Sequence, residues 1–68
     1  MAESSKTVDQ AVALLFEIRR GGAGNATDLA RRSGMSRQSV LRALAALEPH
    51  GLIRRQGMLY RLGAGLVE

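Results

Sequence analysis

Cysteine and tryptophan are absent from this 68-residue chain, and tyrosine, phenylalanine, proline and histidine each occur once. Without cysteine, neither a disulfide framework nor a thiolate zinc site can hold the fold, and the lone His50 cannot build a metal site by itself. Stability must therefore come from packed aliphatic side chains. No apolar run approaches the roughly 18 to 20 residues that span a bilayer, and residues 1–6 lack the basic-then-apolar layout of a secretion signal. The expectation is a cytoplasmic protein without a membrane partner. A chain this short supports one small core and leaves little room for a catalytic cavity. It also offers no carboxylate pair, nucleophile–base set or ligand cluster at useful spacing, so neither an enzyme nor a cofactor is expected.

What the chain does have is positive charge, net +4, unevenly placed. Residues 1–30 carry three basic and four acidic side chains, whereas residues 31–68 carry seven arginines against Glu48 and Glu68. Such clustering favours a polyanionic partner, because a local positive field attracts phosphates and releases their counterions. A solubilising surface is the plainer alternative.

Periodicity divides the chain into helices and a hairpin. Val8, Ala11, Val12, Leu15 and Ile18 recur at the spacing of one buried helical face, with Thr7 as a candidate cap and Arg20 near the end. Phe16 falls off that stripe, which suits a dimer partner, a further C-terminal segment, or simple partial exposure. The cluster Gly21-Gly22-Ala23-Gly24 ends the helix as a turn; it follows no strand and has no Lys-Ser or Lys-Thr pair, unlike a phosphate-binding loop. Asn25 then caps a short second helix over 26–33, with Asp28 completing a weak capping box. Its stripe is Leu29, Ala30 and Ser33, and Arg31 and Arg32 point elsewhere, toward solvent or a ligand.

Gly34 suits the left-handed position past a helix end, Met35 can plug the core, and Ser36 caps a third helix running from Arg37 toward Pro49. On a wheel, Val40, Ala43, Leu44 and Leu47 take one side of this helix, and Gln38, Ser39, Arg42, Ala45 and Ala46 the other. After Gly51, Leu52 to Arg55 and Met58 to Leu62 read as two short strands around Gln56-Gly57. Ile53 and Arg55 should share one strand face and Leu52 and Arg54 the other. Tyr60 and Leu62 should close the core. The order predicts a mainly α fold with a small β-hairpin, a winged helix-turn-helix of three helices and a two-stranded wing. It divides the chain into a disordered tail at 1–6, the domain at 7–63, and a linker beginning at 64–68.

A helix that exposes Arg, Gln and Ser in its first turns, flanked by small alanines, can enter a major groove about 12 Å wide. Gln38 and Ser39 are the candidate base readers, since Gln offers adenine a donor and an acceptor together and Ser can bond base or phosphate. Arg37 lies toward the side of the helix and suits phosphate, while Arg42 is open between guanine and phosphate. Ser36 is mainly a cap. In the wing, Arg54 and Arg55 are backbone candidates as an unranked pair. The expected partner is double-stranded DNA. A winged-helix protein-interaction module is the alternative, because fold does not dictate function.

The run Ala30-Arg31-Arg32-Ser33-Gly34-Met35-Ser36-Arg37-Gln38-Ser39-Val40-Leu41-Arg42-Ala43-Leu44, with Tyr60-Arg61-Leu62-Gly63, resembles the N-terminal domain of IclR-type transcriptional regulators across roughly residues 7–66. The resemblance implies a winged helix-turn-helix whose second motif helix, here from Ser36 to Arg42, enters the major groove. It further implies a linker helix to an effector-binding domain and a homodimer in the full-length protein. Pro49 departs from the family pattern before the glycine and implies an early end to the third helix.

Overall fold

The computed structural model describes residues 6–64. Within them the order is α1 (Lys6–Gly21), α2 (Ala26–Ser33), α3 (Arg37–Leu47), a 3₁₀ turn (Glu48–His50), β1 (Ile53–Gln56) and β2 (Leu59–Leu62). The tail and linker expected at the ends fall mostly on residues 1–5 and 65–68, which lie outside the described residues; Lys6 is already helical.

α1 packs chiefly against α3, and α2 sits against both. The core is Ala11, Leu14 and Ile18 of α1, Ala26 and Leu29 of α2, Val40, Ala43, Leu44 and Leu47 of α3, and Ile53 of β1. Leu14, Leu29, Val40 and Leu44 are fully enclosed, each burial contributing about 1.5–3 kcal/mol. The stripe expected on α1 is corrected here. Ala11 and Ile18 belong to it and Leu15 lies at its edge, but Leu14 replaces Val8 and Val12, which remain 56% and 44% exposed. α1 carries two apolar stripes that both satisfy helical periodicity, and the position of α3 decides which one is buried. Thr7 lies inside α1 and does not cap it.

The turn between α2 and α3 forms as its residue types require. Asn25 accepts from the Asp28 N–H at 2.7 Å and starts α2. Gly34 ends it at φ 75°, ψ 12°, an angle that only glycine adopts without cost, and its N–H donates to the Ala30 carbonyl. Ser33 Oγ donates to the Leu29 carbonyl and accepts from the Met35 N–H, while Met35 packs against the core. Pro49 stops α3 by converting its continuation into the 3₁₀ turn.

β1 and β2 pair antiparallel with Ile53 opposite Leu62, Arg54 opposite Arg61, Arg55 opposite Tyr60 and Gln56 opposite Leu59. The connecting residues are therefore Gly57-Met58, one step beyond the expected Gln56-Gly57. Gly57 at φ 64° with no positive φ at Met58 matches a two-residue type II′ turn. Gly24 exchanges backbone hydrogen bonds with Tyr60, at 3.2 and 2.9 Å, so the α1–α2 loop adds a single rung to the outer edge of β2. That rung ties the start of α2 to the wing.

Candidate nucleic-acid interface

The N-terminal turns of α3 are held open by their cap. Ser36 Oγ accepts from the Ser39 N–H at 3.1 Å and donates to Ser39 Oγ at 2.9 Å. Ser36 is thereby occupied by its own helix, while the Ser39 hydroxyl keeps its proton for an outside acceptor. Because Val40, Ala43, Leu44 and Leu47 face the core, Arg37, Gln38, Arg42, Ala45 and Ala46 are exposed. Ser39 sits half-buried at the margin. The helical wheel is thus reproduced except at Ser39, which was expected opposite the core face and lies instead about a quarter-turn from it.

Ion pairing separates the arginines into two groups. Arg20 pairs with Glu17 and Arg31 with Asp28, each at 2.7 Å. Arg32 was expected to point toward solvent or a ligand. Instead it turns back into the molecule, donating to the Glu17 carbonyl at 2.8 Å, the Gly22 carbonyl at 3.1 Å and the Glu17 carboxylate at 3.3 Å. It bridges α1, the glycine turn and α2. By contrast, Arg37, Arg42, Arg54 and Arg55 make no side-chain hydrogen bond or ion pair among the described residues. Arg19 on α1 is the one other arginine without such a partner among the described residues, so most of the unpaired arginines lie on α3 and the wing.

The strand register distinguishes the two wing arginines. Arg55 shares the inner face with Ile53 and Tyr60, and lines a groove of about 350 Å³ with Asn25, Ala26, Thr27, Arg37, Leu41, Gly57, Met58 and Tyr60. Two unpaired guanidiniums from α3 and β1 thus border one concavity at the start of α2. Arg54 occupies the outer face directly opposite Arg61, whose guanidinium donates to Gln56 Oε1 at 2.9 Å. Like charges opposed across a ladder destabilise a hairpin, so this face is not arranged for the stability of the hairpin itself. The groove's contributors at the start of α2, its cap Asn25 with Ala26 and Thr27, were not anticipated from the sequence. The one-residue bridge that brings them to the wing has no periodicity to betray it.

Three helices, a glycine-turned helix pair and a two-stranded wing against the third helix define a winged helix-turn-helix, the fold of DNA-binding transcriptional regulators. The chain belongs to the MarR family, whose model matches residues 9–57. In three dimensions it is similar to the IclR transcriptional regulator from Alicyclobacillus acidocaldarius, with 25% identity and a TM-score of 0.88 over 96% of this chain and 28% of that one. It is likewise similar to an IclR-type regulator from Silicibacter, with 31% identity and a TM-score of 0.82 over 93% of this chain and 25% of the other. The IclR resemblance read from residues 30–44 and 60–63 thus holds at the level of structure, and the chain spans about a quarter of the length of these two regulators. The Zalpha domain of Carassius auratus PKZ, crystallised with Z-DNA, shares the fold at 18% identity and a TM-score of 0.80, over 85% of this chain and 98% of that domain. No curated protein matches the sequence.

Proposed function

We propose that this chain binds double-stranded DNA sequence-specifically in transcriptional regulation, with α3 in the major groove and the wing on the backbone or minor groove. One observation carries the reading. Four of the five arginines left without an internal partner among the described residues lie on the exposed turns of α3 and on the wing, the fifth being Arg19 of α1, and Arg37 and Arg55 converge on one groove. Gln38, Ser39 and Arg42 read base edges, with Ser36 holding the turn that presents them. Arg37 and Arg55 each meet a backbone phosphate at the groove, and Arg54 meets a third. In this reading the chain serves a cytoplasmic regulator that acts as a homodimer in its full-length form, on half-sites one helical turn or a multiple apart. Among the described residues no helix is long and apolar enough to cross a membrane.

Duplex binding titrated in rising salt tests the reading. With three phosphates neutralised, log affinity should fall against log salt with a slope of roughly −3, from about −0.9 per phosphate. Undetectable or salt-insensitive duplex binding would refute it and return the fold to the protein-interaction alternative.

A further inference from the structure

The outer side of α1 has a pattern that DNA binding does not use. Val8, Val12 and Phe16 are exposed there, Phe16 at 62%. Beside them Asp9, Ala13, Phe16 and Arg20 are all exposed, and at about 100° per residue they fall within a sector of roughly 60°. Their spacings of four, three and four residues are those of a coiled-coil seam.

The order of these residues is complementary to its own reverse. When two copies of α1 lie antiparallel about a two-fold axis passing between positions 14 and 15, Asp9 faces the partner's Arg20 and Ala13 faces the partner's Phe16. The same contacts recur on the other side of the axis, as an isologous interface requires. Acid meets base and the largest side chain meets the smallest. A shallow depression lined by Ala13, Phe16, Glu17, Arg19 and Arg20 already lies where the incoming ring would sit. Arg20 is free to make the exchange, because its pair with Glu17 is on the surface and such pairs hold little. Glu17 keeps Arg32 as a second partner.

We infer that a second copy of this chain docks antiparallel on the outer face of α1, each Phe16 seated against the partner's Ala13 and each Asp9 against the partner's Arg20. The inference rests on the homodimeric reading above and names the surface that joins the copies. The seam spans only three helical turns, well short of the roughly 800 Å² per partner of a stable interface, so two free chains pair weakly. Two chains held side by side on adjacent half-sites pair readily, because tethering raises their effective concentration.

Sedimentation equilibrium of the 68-residue chain, taken to about millimolar concentration, should show reversible dimers of weak affinity. Asp9→Lys alone and Arg20→Glu alone should each weaken dimerisation by about tenfold or more, since both symmetric ion pairs become repulsive. An equimolar mixture of the two variants should regain the wild-type association, because every acidic position then meets a basic one. Phe16→Ala should weaken pairing as well, and circular dichroism melts should show all three variants folded. A wild-type chain that stays monomeric at every concentration overturns the inference. So do variants that dimerise undiminished, or a mixture that fails to recover; a further segment or another protein would then cover α1. Salt-dependent binding of a single half-site, which needs no pairing, measured on the same chains separates the two readings. If it persists while pairing fails, only the α1 surface is wrong; if it is lost in the wild type, the reading beneath falls too.

Discussion

Replacing Arg32 by methionine distinguishes a structural arginine from a DNA-contacting one. The substitution keeps most of the aliphatic stem and removes three donated bonds, two to the carbonyls of Glu17 and Gly22 and one to the Glu17 carboxylate. Each such bond contributes about 0.5–1.5 kcal/mol net. The Arg32 side chain is 24% exposed, so water reaches part of the site, and Glu17 keeps its pair with Arg20 at 2.7 Å. The sum is therefore held to about 1–2 kcal/mol. In a domain of this size each kcal/mol moves the midpoint by about 4–8 °C, so thermal unfolding followed by circular dichroism should shift down by about 5–15 °C. Measured well below that midpoint, the salt slope of duplex binding should be unchanged. Arg37→Met should do the reverse, with little change in Tm and a slope reduced by about 0.9. An Arg32→Met chain that melts like the wild type and loses about 0.9 of slope would make Arg32 a phosphate ligand and refute the internal bridge.

Three further outcomes are expected. Ser36→Ala removes the cap that accepts from the Ser39 N–H and should cost about 1 kcal/mol, visible as a lower denaturant midpoint at constant m-value. Gln38→Ala should relax base preference in selection from a random duplex pool, whereas Arg55→Ala should weaken binding nearly uniformly across sequences and flatten the salt dependence. Leu14→Ala hollows a fully enclosed position on α1 and should cost about 3–5 kcal/mol. That is most of the stability of so small a domain, and chemical denaturation should show a largely unfolded population; Val8→Ala, on the exposed stripe, should melt near the wild type.

Local chemistry was legible wherever a residue type has few uses. Asn25, Gly34, Ser36 and Pro49 each lie where their capping or terminating role puts them, and they delimit α2 and α3 because those roles depend on neighbours within four residues. The partition of α3 into core and exposed faces was equally plain, since only one of its faces is apolar. α1 was not decided in this way. Val8-Val12-Phe16 and Ala11-Leu14-Ile18 both satisfy helical spacing, and only the packing of α3 against the second shows which one the domain buries. The fate of Arg32 was hidden for a related reason, because its partners Glu17 and Gly22 lie far away in sequence.

The amino-acid sequence by itself determined that this is three helices and a short hairpin without disulfide support, with a glycine-turned helix pair and a basic C-terminal half. Those properties follow from periodicity, capping and composition, which act over a few residues. Only the tertiary structure decided which arginines are neutralised within the fold and which remain free. Only it turned Arg55 toward Arg37 and Arg54 away from it, and left the Phe16 side of α1 outside the core. Each of these depends on strand register, on the Gly24–Tyr60 rung or on the seating of one helix against another, and such contacts join residues that no local pattern links.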